Sequence, residues 1–266
     1  MKWGDWAFSR PATLSILDLV ESSTLDFKLA GLLWLVMESR ASVLIASGPI
    51  FAGKTTLLYS LLDLLPPGLR QYSLRGFAED FSFINRYKPE TTYLVSEEIS
   101  NHQYEYLWGN QVQKTLRLLA QGYRLGTTIH AWNIRDVAYL LQGYLNVPPS
   151  DIAHLGAVVI LHATNGPSYD DEPIRRIETV NIINMNGENL IAQTLAARES
   201  LNGGFIYPEE NALQAALFGK FGIKCERVFS EIASREAFLK QLYDTGARSR
   251  GDVKKAITGR YLSRLR

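Results

Sequence analysis

The sequence predicts an α/β fold with a mostly parallel sheet, and three observations carry that expectation. Apolar runs at 42–46, 69–74, 91–96, 125–130 and 156–163 read as strands, and stretches with apolar residues at helical spacing lie between most of them. Residues 48–56 form a glycine-bounded turn that joins the first run to a helix. Beyond residue 173 the pattern changes to two long strand-like runs around Asn186-Gly187 and then to three amphipathic patterns, which predict a β-hairpin and a small C-terminal helical appendage.

Taken in order, residues 1–22 are a lead-in segment, of which Met1 to Pro11 is rich in Trp and Phe and too short for a domain. Residues 23–202 are the α/β domain. It opens with a helix over 25–39, capped by Thr24 or Asp26, whose apolar positions nearly surround it and so predict burial on more than one side. Ser42 to Ala46 is β-branched and apolar, as a buried parallel strand requires. Lys54 to Leu65 places Leu57, Leu58, Leu61, Leu62 and Leu65 on one helical face and stops at Pro66-Pro67. Strands over 69–74 and 91–96, a helix over 103–121, a strand over 125–130, a helix over 134–144 and a buried strand over 156–163 follow. Thr164 to Pro173 reads as a mobile loop, and Asn186-Gly187 as a two-residue hairpin turn. Gly203-Gly204 marks a hinge into a helical subdomain, 203–266, with helices over 208–220, 230–244 and 251–266.

Composition narrows the function classes. The chain is 266 residues long, enough to bury a full core, and its net charge of +1 gives no global pull toward nucleic acid. The basic end, with Arg248, Arg250, Lys254, Lys255, Arg260, Arg264 and Arg266, reads as a solvated face, so no specific nucleic-acid binding is expected. One cysteine, Cys225, cannot form an internal disulfide and points to a reducing compartment. The most apolar windows, 29–37 and 152–163, fall short of the ~20 residues of a spanning helix, and the start lacks a signal-peptide core. A soluble, cytoplasmic protein is expected.

Gly48-Pro49-Ile50-Phe51-Ala52-Gly53-Lys54-Thr55-Thr56 fits G-x-x-x-x-G-K-[ST] between a strand and a helix, the context that pattern demands. Gly48 and Gly53 permit backbone conformations a Cβ would forbid, so N–H groups can turn toward phosphate oxygens at a helix N-terminus. Lys54 would reach the β- and γ-phosphates of ATP, and Thr55 would complete a Mg²⁺ shell. Glu79 and Asp80, beyond the second strand, are candidates for ordering that Mg²⁺; a solvated pair of loop acids is the competing reading. Glu97, after the strand 91–96, is the first choice for orienting the attacking water, and Glu98, which alternation would place on the opposite side, is the alternative and a candidate metal ligand. His130 ends the next strand and can meet a γ-phosphate or the glutamate, whereas His102, His154 and His162 show no metal-ligand spacing.

These motifs in this order resemble the ATPases of the type II/type IV secretion and pilus assembly superfamily, the Tad and archaeal-type branch in particular. Ser15 to Val20 is similar to that family's approach to its phosphate loop, Gly48 to Thr56 to its Walker A segment, Leu94-Val95-Ser96-Glu97 to its Walker B, and Thr128 to Asp136 to its histidine box, with Trp132 in place of a usual Asn. Ser234-Arg235-Glu236 resembles the tail of the archaeal-type branch. The resemblance implies a RecA-like P-loop NTPase core with Glu97, Lys54 and His130 in catalytic roles. It also implies a homo-oligomer, a hexamer in that family, or a mixed assembly with a full-length secretion ATPase. Such an assembly would sit at the inner face of the cell membrane and move an integral membrane platform protein. An arginine acting across a subunit boundary is expected, Arg86 or Arg124 being the candidates. The sequence departs from the family in having no counterpart of its N-terminal domain and in carrying Arg75-Gly76 where acids usually follow the second strand.

Overall fold

The computed structural model describes residues 13–164, 173–200, 203–224, 226–247 and 249–264; the Trp-rich lead-in over 1–11, most of the expected loop over 164–173 and Cys225 lie outside them. In α1 (Ile16–Glu21) a capping box closes the first turn, the Asp18 carboxylate accepting the Ser15 N–H at 2.6 Å. In α2 (Phe27–Glu38) the Asp26 carboxylate accepts the Leu29 N–H at 2.7 Å, and every residue from Leu29 to Met37 is buried, as its all-round apolar pattern predicts. The chain continues through β1 (Val43–Ala46), α3 (Lys54–Leu62), β2 (Arg70–Ser73), β3 (Thr92–Val95), α4 (Asn110–Ala120) and β4 (Arg124–Ile129). Next come α5 (Ile134–Ala138), which runs on into a π-helical turn at Tyr139–Tyr144, α6 (Pro149–Ile152), β5 (Ala157–Thr164), β6 (Ile174–Asn186), β7 (Asn189–Arg198) and β8 (Phe205–Ile206). Three helices, α7 (Glu210–Phe221), α8 (Val228–Asp244) and α9 (Arg250–Arg264), end the described chain.

The strands form one sheet in the order β2-β3-β4-β1-β5-β6-β7-β8. β2 through β5 in that order are parallel, and β6, β7 and β8 extend the sheet antiparallel. The chain leaves β1 toward the β2 edge and, after β4, crosses to β5 on the other side. The carboxyl end of β1 is therefore where the strand order reverses, the position at which open α/β sheets bind ligands. Side chains of the inner strands alternate between two cores. Val43 and Ile45 pack with α1, α2, α3 and α7–α9, whereas Leu44 and Ala46 face α4–α6.

The C-terminal helices share the core of α2. Arg235 of α8, only 2% exposed, reaches the Glu38 carboxylate of α2 at 2.5 Å and Glu231 at 2.8 Å. The Trp34 indole N–H donates to the Tyr261 hydroxyl, which donates to the Leu64 carbonyl, both at 2.7 Å, and so links α2, α9 and the end of α3. The cations of α9 expected on a solvated face are partly engaged in the fold: Arg250 and Lys254 both pair with Asp63.

Two expected elements differ. The helix expected over 103–121 begins only at Asn110, because Leu107 pairs back with Ile99 and Gly109 turns the chain at φ 55° and ψ −128°, a conformation incompatible with a helix. The hairpin turn lies one residue later than Asn186-Gly187. Asn186 pairs with Asn189, so the central residues are Gly187, at φ 60°, and Glu188. Positive φ at the first central position alone is what a type II′ turn uses.

Candidate functional site

The loop between β1 and α3 opens onto a cavity of about 1030 Å³, lined by Ile50 to Leu57, Glu98, His102, His130 and Arg175 among others. Gly53 precedes α3 at φ 88° with no side-chain cap, so the first N–H groups of this helix are presented at the cavity wall. The two glycines of the motif serve different ends. Gly53 supplies the left-handed conformation, but Gly48 does not, since its φ lies outside that region. Gly48 is needed for space: a Cβ there would stand 2.2 Å from the Trp132 indole. The second left-handed residue of the loop is Phe51, at φ 58° and 80% exposed. Such a backbone costs a non-glycine residue about 1–2 kcal/mol.

Lys54 is 6% exposed, with its Nζ 3.1 Å from His130 Nε2 and 3.7 Å from Glu98 Oε2; His130 Nε2 is itself 3.5 Å from the same carboxylate oxygen. His130 Nδ1 lies 3.1 Å from the Gly48 carbonyl. Lys54 Nζ is also 3.3 Å from Nδ1, so the ammonium can donate to whichever ring nitrogen carries no proton; a ring protonated on Nδ1 donates to Gly48 and offers its Nε2 lone pair to Lys54. Burial lowers the Lys54 pKa, and the Glu98 carboxylate opposes that effect.

The glutamate at this point is Glu98, not the first choice Glu97, for a local reason. Ser96 N–H donates to the Gly126 carbonyl, and an undisturbed parallel ladder would next pair Glu98 with Thr128. Instead Ile99 N–H donates to Thr128 at 2.8 Å, so one extra residue bulges between the two bonds. The bulge inverts the alternation that would have placed Glu98 on the opposite side. Glu97 is held at its backbone by the Thr128 hydroxyl at 2.8 Å, and it does not line the cavity. Its charge, after burial, helps raise the pKa of the Tyr59 hydroxyl on α3.

Glu79 and Asp80 do not join the cavity either. The buried Glu79 carboxylate accepts N–H groups from Arg75 at 3.0 Å and Phe81 at 2.9 Å. Asp80, held at a pKa of about 2 first by the Ser82 N–H and also by Arg75, is an exposed loop acid. Arg124 opens β4 at the sheet end away from the P-loop, and its guanidinium donates to the carbonyls of Leu119 and Tyr123. Arg86 is exposed on the turn before β3. Thr55 and Thr56 line the cavity beside Lys54. Two groups at the cavity carried no signal in the sequence. His102 reaches it because the segment after Ile99 turns back on itself, and Arg175 of β6 passes over the P-loop. A Cβ on Gly53 would stand 3.0 Å from its Cδ, and its guanidinium donates to the Phe51 carbonyl at 3.4 Å.

No family model and no curated protein matches the chain. Solved structures of similar fold include three ATPases, one of them from a type IV secretion system. The VirB11 ATPase of Brucella suis, solved with sulphate, is 19% identical with a TM-score of 0.42 and covers 62% of this chain. The ATPase DotB of Legionella pneumophila is 10% identical with a TM-score of 0.38 over 84% of the chain, and DotB of Yersinia pseudotuberculosis 13% identical with 0.34 over 85%. This chain spans 53, 56 and 60% of those three proteins respectively. At these scores the likeness carries no argument about chemistry, which rests on the site itself. No helix among the described residues is long and apolar enough to cross a membrane.

Proposed function

We propose that the chain binds ATP with Mg²⁺ at the β1–α3 loop and hydrolyses it as a motor subunit of a type II/type IV secretion or pilus assembly system. The observation that supports this most is the meeting of Lys54, Glu98 and His130 at one cavity, beside the uncapped start of α3. The residues fit the nucleotide and its metal: Gly53 brings the first N–H groups of α3 to the cavity wall without a side-chain cap, and Thr55 and Glu98 supply oxygen donors there. Bound Mg²⁺ would neutralise charge on the β- and γ-phosphates. The α3 N–H groups and Lys54 bind the same oxygens, and for this Lys54 leaves Glu98 and His130. Glu98, freed of the lysine, orients water and takes its proton, and His130, tied to the loop through Gly48, answers to the terminal phosphate. The motor role, the oligomeric ring, the membrane platform partner and a place at the inner face of the membrane are supported by the order of the four sequence motifs.

A second reading is a non-hydrolysing nucleotide-binding subunit of such an assembly. It is favoured by the engagement of Glu79 in its own loop, which leaves fewer acids at the cavity. Phosphate release from MgATP separates the two. Glu98→Gln is expected to abolish turnover with nucleotide binding retained, Lys54→Ala to abolish both, and Glu97→Gln to keep most of the rate. Wild-type turnover no higher than that of Glu98→Gln, at any protein concentration, would establish the second reading.

A further inference from the structure

Glu98, His102 and His130 each offer a ligand atom at the cavity wall, and the three atoms lie within 4.8 Å of one another. We propose that they form a site for a zinc-class divalent ion, distinct from the Mg²⁺ of nucleotide binding, and that this ion competes with the Lys54 ammonium for the same lone pairs. The inference does not depend on ATP hydrolysis.

Donor chemistry comes first. Two imidazoles and a carboxylate suit zinc, cobalt or nickel, whereas Mg²⁺ takes oxygen ligands. The spacing between the two less exposed donors is already close to what a metal needs. His130 Nε2 and Glu98 Oε2 are 3.5 Å apart, and two bonds of ~2.1 Å at a tetrahedral angle place their ends about 3.4 Å apart. One tautomer of His130 also suits a metal. Metal-binding histidines generally donate their other N–H to a carbonyl or carboxylate, and His130 Nδ1 does so to Gly48, leaving Nε2 as the ligand atom. Glu98 is buried, His130 half-buried and His102 exposed, so the third ligand is the one free to close on an arriving ion. Three protein ligands leave a further coordination position toward the cavity.

Lys54 decides the character of the site. Its ammonium contacts both Glu98 and His130, serving as the cation that the carboxylate and the Nε2 lone pair attract. A divalent ion on those two donors cannot tolerate an ammonium at the same distance. Metal binding therefore expels the Lys54 ammonium from these donors. Such an ion would take Glu98 and His130 out of use while it is bound.

The test titrates the full chain with Zn²⁺ against a chromophoric chelator, and with Co²⁺ followed by its visible absorption. One equivalent is expected to bind, weakened more than about tenfold in His102→Ala and in His130→Ala. His102→Ala, altered at an exposed position, is expected to keep its fold, read by its unfolding midpoint in urea without metal. Lys54→Met, which removes the competing cation, is expected to bind Zn²⁺ roughly tenfold more tightly than wild type. Equal affinity in wild type and His102→Ala, or no binding at all, overturns the site. Unchanged or weaker binding in Lys54→Met overturns the competition.

Discussion

At the scale of single residues, the fold is held by polar groups that the sequence places far apart. Tyr261 both accepts from the Trp34 indole and donates to the Leu64 carbonyl, in a region closed to water. Its removal leaves a donor and an acceptor without partners, and the cost of each is the desolvation already incurred in burying it. Tyr261→Phe is therefore expected to destabilise the chain by about 1–3 kcal/mol in urea unfolding while leaving nucleotide affinity at the distant P-loop unchanged. A neutral result would mean that water reaches this relay. The same scale contains Phe51, whose left-handed backbone and exposed ring both run against ordinary residue preference, a conflict that natural chains concentrate at functional loops.

At the scale of elements, the bulge after β3 decides which glutamate serves the cavity. Deleting Glu97 would restore the regular two-residue ladder from Ser96 to Thr128 and leave the remaining glutamate directly after Ser96, the position that undisturbed alternation turns toward the cavity. The deletion variant is expected to show turnover well above Glu98→Gln, because its one glutamate takes over the cavity-facing position; turnover as low as Glu98→Gln would mean that the bulge itself is needed to aim the carboxylate. This element also marks where sequence reading fails. The glycine-bounded turn before α3, the buried α2, the strands and the position of His130 at the end of β4 were legible because each is written in local pattern: a glycine spacing, an all-round apolar helix, a β-branched run. The choice between Glu97 and Glu98 was not, since it depends on which carbonyl of β4 the chain finds next. His102 was missed for a related reason: its partners are 28 and 4 residues away, at no ligand spacing, and only the turn at 100–109 brings them together.

For the whole molecule, Lys220 ties the C-terminal helices to the sheet. From α7 its ammonium donates to the carbonyl of Ala153, at 2.6 Å, and to that of Ile183 on β6, joining the layer beyond one sheet edge to elements of the other face. Burial lowers its pKa from 10.5 to about 8. The unfolded chain thus holds this proton up to about pH 10.5 while the folded chain releases it above about pH 8, so the unfolded state binds more protons in that window and stability rises with pH across it. Below about pH 8 both states are charged and the cost of burying the ammonium, ~3 kcal/mol for a lowering of this size, is present in full. Urea unfolding of wild type and Lys220→Met at about pH 7.5 and pH 10 isolates the effect from other groups that titrate there. The stability of wild type relative to Lys220→Met is expected to increase at the higher pH. A relative stability that stays level or falls would mean that the two carbonyls hold the ammonium charged throughout, and that the clamp is an ionic contact at every pH at which the chain folds.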